Sequence, residues 1–231
     1  HWSARAPAPT ASASSPVRAA PGQPPALAQP SPSLAVGIAT PALVIDTTPP
    51  PHSAAPTANR PFAVPAEFDR LLQTQTPGHQ VQGSTPKSRL RIGHDQLHFT
   101  VSSAQAGHVQ VLAHGADGTL VQLLPNAQVN ELRIRPGQPL KLPPAVSPFD
   151  ASEPLGREEV IVIVSRQPRT LAHLGGSSQD GLWQLPAGAQ REGLAATAEG
   201  ATPVLLGRAT HCPDTRCDEY GAARFVVDVQ R

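Results

Sequence analysis

Hydrophobic residues recur at every second position over much of the C-terminal part of the chain. Leu97, Phe99 and Val101 alternate with polar residues, and the same spacing returns at Val109 and Val111. A period of two is typical of β-strands, because successive side chains point to opposite faces of a sheet. Further short apolar runs between turn-forming residues lie at 120–124, 132–134, 140–142, 204–206 and 224–229. The pattern predicts a mainly β domain, an antiparallel β-sandwich or open barrel over about residues 90–231.

Two segments are predicted to lie in the middle of this sheet. The sequence Gly115-Ala116-Asp117-Gly118 separates two apolar runs and offers a glycine for positive φ, so it predicts a tight hairpin. Residues 160–164 are an unbroken β-branched run, Val-Ile-Val-Ile-Val. A strand without polar positions predicts burial on both faces, and therefore a central place in the sheet.

A helical spacing precedes the strands. Val64, Phe68, Leu71 and Leu72 follow the i, i+4, i+7, i+8 pattern of one helical face. Because a proline stands near the start of this pattern and a Thr-Pro-Gly sequence follows it, we predict one short helix over about residues 66–75. Residues 171–200 are rich in glycine and alanine, and they predict a loop or a short helix near 194–199.

The N-terminal quarter of the chain has a different composition. Residues 1–60 hold 13 of the 28 prolines and consist mostly of alanine, serine, threonine and proline. Because the segment has few large apolar side chains, their burial cannot offset the loss of conformational entropy on folding. We therefore predict a disordered, partly polyproline linker. The sequence therefore predicts a linker at 1–60 and a folded domain at 61–231.

Composition and motifs exclude several classes of function. Charged residues make up 15% of the chain and the net charge is +1. The chain therefore lacks the excess of positive charge that is typical of nucleic-acid-binding proteins. Sequences typical of nucleotide-binding loops, nucleophile elbows and kinase catalytic loops are absent. His173, Ser177 and Asp180 lie close in sequence, but a catalytic triad is defined by geometry, so we interpret them as a polar loop. We predict no catalytic residue, cofactor or metal site.

The two cysteines, Cys212 and Cys217, bracket a turn-forming Pro-Asp-Thr-Arg sequence. A disulfide is the simplest interpretation, and it implies an oxidising compartment. Zinc is the alternative because His211 is adjacent, although a structural zinc site needs four ligands and only two thiolates exist.

Histidines are concentrated in one part of the sequence. His94, His98, His108 and His114 fall within 21 positions, and His108 shares a strand face with Gln110, Leu112 and His114. Solvent-facing side chains are the ordinary interpretation. A pH or metal sensor is the alternative, with His98 joining the others across a strand ladder.

The order of several short motifs resembles the domain-of-unknown-function 4384 family. The motifs include Leu90-Arg91-Ile92-Gly93-His94-Asp95, Gly107-His108-Val109-Gln110-Val111-Leu112, Leu123-Leu124-Pro125-Asn126, Leu140-Lys141-Leu142-Pro143 and Val160-Ile161-Val162-Ile163-Val164-Ser165. Where the family often carries aromatic residues, this chain has His108 and Gln110. The tail from Cys212 to Phe225 looks like a kinase-linked branch of the family from proteobacteria.

This resemblance implies a place in a larger protein. Relatives of this kind join a cytoplasmic serine/threonine kinase and one membrane helix to an exported sensor region, sometimes linked to control of type VI secretion. We therefore expect a non-catalytic periplasmic sensor or protein-interaction module of a bacterial membrane-bound serine/threonine kinase. The alternative is a stand-alone cell-envelope binding protein for peptidoglycan or polysaccharide. A hydrolase would need a site that no motif indicates.

The expected partners follow from this hypothesis. They are an unidentified envelope protein or ligand, with self-association as a further option, no nucleic acid, and contact with the membrane only through a helix N-terminal to this chain. Loops on a rigid scaffold commonly carry recognition. The candidate contact residues are therefore Asp117 and Gly118 at the hairpin tip, Pro125 and Asn126 in the next loop, and Arg216 and Tyr220 near the cysteines.

Overall fold

The structure is a computed structural model, and it describes residues 3–4, 62–186 and 202–231. Apart from Ser3 and Ala4, the predicted linker at 1–60 lies outside these residues, and so does the predicted short helix at 194–199. The described residues from 62 onward belong to one compact unit. None of the helices in these ranges is long and apolar enough to cross a membrane.

Strands account for most of the regular structure. One α-helix, α1 (Val64–Gln73), and two 3-10 helices (Ala172–Leu174 and Val204–Leu206) accompany them. The strands are β1 (Ser3–Ala4), β2 (Val81–Ser84), β3 (Arg89–Arg91), β4 (Phe99–Ser103), β5 (Gly107–His114), β6 (Leu120–Leu124), β7 (Arg133–Ile134), β8 (Leu140–Leu142), β9 (Phe149–Asp150), β10 (Gly156–Ser165), β11 (Arg169–Thr170), β12 (Ser177–Gln179), β13 (Leu182–Gln184), β14 (Arg208–Ala209) and β15 (Tyr220–Gln230). The predicted mainly β class is confirmed.

The largest sheet has the strand order β12-β13-β6-β5-β10-β15-β3, and β7 pairs with β5 beyond the end of β6. Its pairs are antiparallel except β15 with β3, which is parallel. Smaller sheets are β2-β4-β8, β11-β14 and β1-β9. The predicted hairpin joins β5 to β6, where the Gly115 amide donates to the Thr119 carbonyl and Gly118 has a φ of +81°. No closed barrel forms among the described strands.

The central strand β10 divides the apolar interior into two clusters. Val160, Val162 and Val164 pack with residues of β4 and β8 on one face, whereas Ile161 and Ile163 pack with α1 and the 3-10 helices on the other. All five side chains have no solvent exposure. The prediction of a strand buried on both faces is confirmed, because a small sheet covers one face and a helical layer covers the other.

Helix α1 begins and ends two residues earlier than predicted. Its apolar face, with Val64, Phe68 and Leu71, is buried, as the helical spacing predicted. The helix also buries Glu67, whose carboxylate accepts a hydrogen bond from the Val204 amide at 2.9 Å. This bond fixes the second 3-10 helix against α1.

Three segments differ from the sequence prediction. Val204–Leu206 was predicted to be a strand and is a 3-10 helix, in which all three side chains are buried and Gly207, at φ +75°, ends the turn. A 3-10 turn points successive side chains about 120° apart, and the surrounding residues of α1, β5, β6 and β10 bury all three. Residues 177–184, within the predicted loop, form the β12–β13 hairpin. Strand β2 precedes the predicted start of the sheet.

The histidine prediction was wrong in part. Strand β4 pairs with β2 and β8 and not with β5, so the neighbouring His98 does not join the β5 histidines across a ladder. The face that carries His108 and His114 is also covered rather than open to solvent. The His114 ring lies edge-on to Phe68, with centroids 6.3 Å apart. Among the described residues, no group of three or more His, Cys, Asp or Glu side chains could hold a metal ion.

Candidate binding cleft

A cleft of about 410 Å³ lies between the end of β6 and the segment that carries β11, β12 and β13. Its lining mixes neutral polar side chains with apolar ones and contains one arginine and one tryptophan. These residues are Gln122, Pro125, Asn126, Ala127, Asn130, Arg169, Thr170, Leu171, Ala172, Ser178, Gly181, Leu182 and Trp183. A concave surface of this size, largely apolar with a few polar groups, is typical of small-molecule sites.

A smaller cavity of about 40 Å³ adjoins the cleft and shares Pro125, Asn130 and Arg169 with it. We call this cavity the narrow end. It lies where β5 changes its neighbour. Val111 pairs with Leu124 of β6, whereas His108 pairs with Arg133 of β7. Gln110 lies between these two pairs and lines the narrow end.

The loop after β6 forms one wall of the cleft, and Asn126 holds it in place. The Asn126 amide donates to the Leu123 carbonyl and the Ser147 hydroxyl, each at 2.9 Å. Its side-chain oxygen accepts from the amides of Gln128 and Val129. With these bonds the side chain of Asn126 is fully used. The sequence had predicted Asn126 as a contact residue, but in the structure its polar atoms hold the wall of the cleft in place.

Arg169 forms the floor shared by the cleft and the narrow end. Its side chain is 1% exposed and is paired with Asp218 at 2.9 Å. The guanidinium also donates to the carbonyls of Gly207 and Cys217. Its Nε finds no hydrogen-bond partner among the described residues. Arg169 therefore joins the cysteine loop to the cleft and keeps one donor unused.

Two further side chains of the lining carry unused hydrogen-bonding groups. Gln110 is 3% exposed, and neither its Oε1 nor its Nε2 has a partner among the described residues. The Nε1 of Trp183 is also buried and has no hydrogen-bond partner among the described residues. A buried polar group without a partner costs about 1–3 kcal/mol, so such groups in a folded protein call for an explanation. A bound ligand that pairs with them is one such explanation.

The narrow end also brings together the residue types of a hydrolytic triad. Ser165 and His108 face each other across β10 and β5, and the His108 Nδ1 lies 3.3 Å from the Glu131 carboxylate. However, the Ser165 hydroxyl donates to the Gln167 carbonyl at 2.7 Å. A nucleophile must give its proton to the neighbouring base, and this hydroxyl is directed elsewhere. The arrangement is therefore not that of an activated serine.

The predicted contact loops do not form one surface. Pro125 and Ser165 line the same narrow end, and Arg166, which follows Ser165, pairs with Asp214 of the cysteine loop at 3.0 Å. The hairpin tip with Asp117 lies beyond the other end of β5. Eight residues of strand separate the two ends by roughly 25 Å at about 3.4 Å per residue. At the tip, Asp117 accepts from the amide and the hydroxyl of Thr119.

The cysteine loop has a structural interior. Cys212 and Cys217 lie at disulfide distance, with Cα atoms 5.4 Å apart, as predicted. Arg216 is exposed but forms a two-bond pair with Glu219, at 2.6 and 3.0 Å. Tyr220 is 2% exposed, and its hydroxyl donates to the Leu71 carbonyl at 3.0 Å. Tyr220 was predicted to be a contact residue, but its buried side chain links β15 to α1 through this hydrogen bond.

Loss of the disulfide should weaken the fold. The bond closes a loop of only six residues, so the chain-entropy effect predicts a stabilisation of about 2 kcal/mol. Thermal unfolding of the oxidised chain should shift to lower temperature when a reductant is added. The double variant Cys212→Ser, Cys217→Ser should unfold at the lower temperature with or without reductant. Equal melting temperatures for the oxidised and reduced wild-type chain would contradict the prediction.

Acid should destabilise the protein through two histidines, His79 and His108, whose pKa values are lowered by burial or partial burial. Burial lowers the pKa of His108, Arg133 lowers it further, and Glu131 acts in the opposite direction. Burial likewise lowers the pKa of His79. The unfolded chain therefore binds protons more readily, so this stabilisation is complete above about pH 6.5 and is lost as the pH falls towards the folded-state pKa.

Thermal unfolding measured at a series of pH values checks this expectation. The melting temperature of the wild-type chain should fall as the pH is lowered from about 7 to about 5. His108→Gln should show a shallower dependence. His94→Gln, which changes an exposed imidazole, is the matched control. A pH dependence that is the same in wild type and His108→Gln would count against the role of this group.

The described residues form a β-rich domain with a preformed cleft, and the Ser165 hydroxyl beside this cleft donates to a carbonyl and not to His108. Residues 89–168 match the family model described as Domain of unknown function (DUF4384). This match begins at β3 and ends directly after β10, so it contains Gln110 and Pro125 but not Arg169 or Trp183. No family with a catalytic activity was matched, and no curated protein matches the chain. The resemblance to the DUF4384 family is confirmed over residues 89–168. The likeness of the tail at 212–225 to a proteobacterial branch and the link to a kinase stay predictions.

The residues that define the cleft were not singled out from the sequence, apart from Pro125 and Asn126. Gln110 was noted only as a member of a strand face. Trp183 had a signal that was available, because the Asp180-Gly181 pair is typical of a two-residue hairpin turn, and both residues have positive φ. That hairpin places Trp183 beside Gln122 of β6.

Proposed function

We propose that the chain is a non-catalytic binding module that senses a small ligand in the cleft. The observation that carries the proposal is the buried Gln110 amide, which has an unpaired donor and an unpaired acceptor at the narrow end. A fold that leaves such a group unpaired loses stability. A ligand that pairs with the amide recovers that free energy on binding, and this favours binding at this position.

We further propose that this module is the periplasmic sensor of a bacterial membrane-bound serine/threonine kinase, with a role in type VI secretion. The order of the sequence motifs supports this context, and so does a disulfide, which persists in oxidising compartments. A sensor of this kind would act by bringing two chains together when its ligand or partner binds.

A stand-alone envelope binding protein for peptidoglycan or polysaccharide is the second candidate, and it would use the same cleft. The neutral polar lining and the indole of Trp183 favour it. The two candidates differ in what the gene encodes before this chain. A kinase domain and a membrane helix support the sensor, whereas a signal peptide directly before the chain supports the stand-alone protein.

Tryptophan fluorescence offers a direct test of binding. The chain has two tryptophans, Trp2 and Trp183, so the variant Trp2→Phe leaves the cleft residue as the only indole. Peptidoglycan fragments and envelope extracts should change its emission in a saturable way. The matched variant Trp183→Phe, which keeps only Trp2, should show no such change. A response that is equal in both variants would overturn the cleft as the binding site.

Enzyme assays complete the test. ATP, peptidoglycan fragments and common ester substrates should show no turnover above the buffer control. Turnover that disappears in Ser165→Ala would overturn the non-catalytic proposal and would indicate that Ser165 acts with His108. Saturable binding without turnover supports the module.

A further inference from the structure

We infer that the narrow end binds the acetamido group of an uncharged N-acetylated sugar, with Gln110 as the residue that determines this specificity. The inference rests on the proposed function, since it names the ligand class of the same cleft.

The first argument is the charge of the site. The one cation of the floor, Arg169, is already paired with Asp218 at 2.9 Å. At the narrow end, Glu131 is paired with Arg133 at 2.6 Å. These pairs leave no uncompensated charge to attract an anion or a cation. Desolvating a charged ligand without a counter-charge is costly, so the site favours a neutral ligand.

The second argument is the pattern of donors and acceptors. The Gln110 side chain presents a donor and an acceptor in one plane, and the Arg169 Nε adds a second donor. The complement is a planar group with one N–H and one carbonyl oxygen, whose two lone pairs can accept twice. A secondary amide has this pattern. A hydroxyl has a single O–H donor on a freely rotating bond and no plane to match.

The third argument is size. A cavity of about 40 Å³ has room for one or two water molecules or for a group of similar volume. An acetamido group ends in a methyl on its carbonyl side, so it fits such a space. An amide within a peptide carries a substituted carbon on both sides and needs more room. We therefore favour an N-acetylated sugar over a peptide as the source of the amide.

The outer cleft fits the rest of such a ligand. Its volume of about 410 Å³ suits one or two sugar rings, and its lining offers the neutral side chains of Asn130 and Ser178 beside the indole of Trp183. Neutral polar groups can pair with sugar hydroxyls, and an indole face can pack against the apolar face of a sugar ring. The cleft and its narrow end therefore match two parts of one ligand.

The experiment titrates the Trp2→Phe chain with four probes and follows the emission of Trp183. The probes are di-N-acetylchitobiose, cellobiose, the deacetylated chitobiose, which is cationic, and N-pivaloylalanine methylamide, a blocked peptide in which both carbonyls carry a branched carbon instead of a methyl. We expect saturable binding of di-N-acetylchitobiose and at least about tenfold weaker binding of the other three. A tenfold loss is the scale expected when one or two hydrogen bonds are removed.

The variant Gln110→Leu replaces the amide by a slightly smaller apolar side chain without hydrogen-bonding groups, so it should weaken binding of the acetylated sugar by at least about tenfold. Because it removes an unpaired buried amide, it should not lower the melting temperature. Gln96→Leu removes an exposed amide that pairs with Asp150 away from the cleft, and it is the matched control. If Gln110→Leu does not fold, Gln110→Asn, which withdraws the same amide, should still weaken binding.

Several results would overturn the inference. These are equal binding of the acetylated sugar and cellobiose, tighter binding of the blocked peptide, an unchanged affinity in the Gln110 variants, or no binding up to the solubility limit of the sugar. If another envelope compound changes the Trp183 emission while acetylated sugars do not, only this inference fails. If the protein turns over a substrate and binds none of the probes, the proposed function fails as well.

Discussion

Replacing Ile163 by alanine should lower the free energy of unfolding by about 2–5 kcal/mol. Ile163 lies in β10, the strand between β5 and β15, and its side chain has no solvent exposure. The truncation removes apolar contact with the helical layer and leaves a cavity that the surrounding strands cannot fill by collapsing. Chemical denaturation followed by far-UV circular dichroism measures the change.

Val146→Ala is the control for this experiment. Val146 is 51% exposed, so its truncation should change the free energy of unfolding by less than about 0.5 kcal/mol. Ile161→Ala, on the same face of β10, should repeat the result for Ile163. A loss below about 1 kcal/mol at both isoleucines would mean that β10 is peripheral, and the sheet order described above would be wrong.

Replacing Gly221 by alanine should destabilise the protein by about 3 kcal/mol, the upper end of the range for overpacking. Gly221 lies in β15 opposite Val164, where the segment before β2 crosses the strand. A Cβ at this position would overlap the carbonyl oxygen of His79 and come within 2.7 Å of the Val81 side chain. A carbonyl oxygen cannot rotate away as a flexible side chain can, so the crossing segment must move.

Gly83→Ala is the matched control, because it makes the same substitution in β2. There the new Cβ would meet Ala223 and Phe225 at 3.5 Å, an ordinary van der Waals contact. The melting temperature should therefore fall clearly in Gly221→Ala and little in Gly83→Ala. Similar melting temperatures for the two variants would show that the crossing of His79 over β15 is not tightly packed.

The sequence predicted correctly those elements whose structure depends on a short stretch of neighbouring residues. The β-branched run at 160–164 and the glycine-containing turn at 115–118 each specify a structure within a few residues, and both were predicted. The apolar face of α1 was predicted as well, with a shift of two residues at its ends. Tertiary contacts decided the remaining cases. Val204–Leu206 is apolar enough for a strand but becomes a 3-10 helix, because α1 offers the Glu67 carboxylate to its first amide.

The cleft could not be predicted from the sequence, because its walls come from segments that are distant along the chain. Gln110 and Trp183 are 73 positions apart, and Arg169 donates to the carbonyl of Cys217, which lies 48 positions after it in the chain. A glutamine in a strand pattern gives no sign of whether its amide is solvated, paired or buried alone. Asn126 and Tyr220 were singled out as contact residues because they were expected to lie in recognition loops, but their polar groups are used within the fold.

The position of β15 in the sheet has a consequence for biosynthesis. This strand follows every other strand in chain order, yet it pairs with β10 on one side and with β3 on the other, where Val229 lies beside Leu90. While the chain leaves a ribosome or a translocation channel, one edge of β10 stays unpaired until β15 has also left it. Exposed apolar edges promote aggregation, so an emerging chain of this kind depends on chaperones or on rapid release. A product truncated before Tyr220 would keep that edge open permanently.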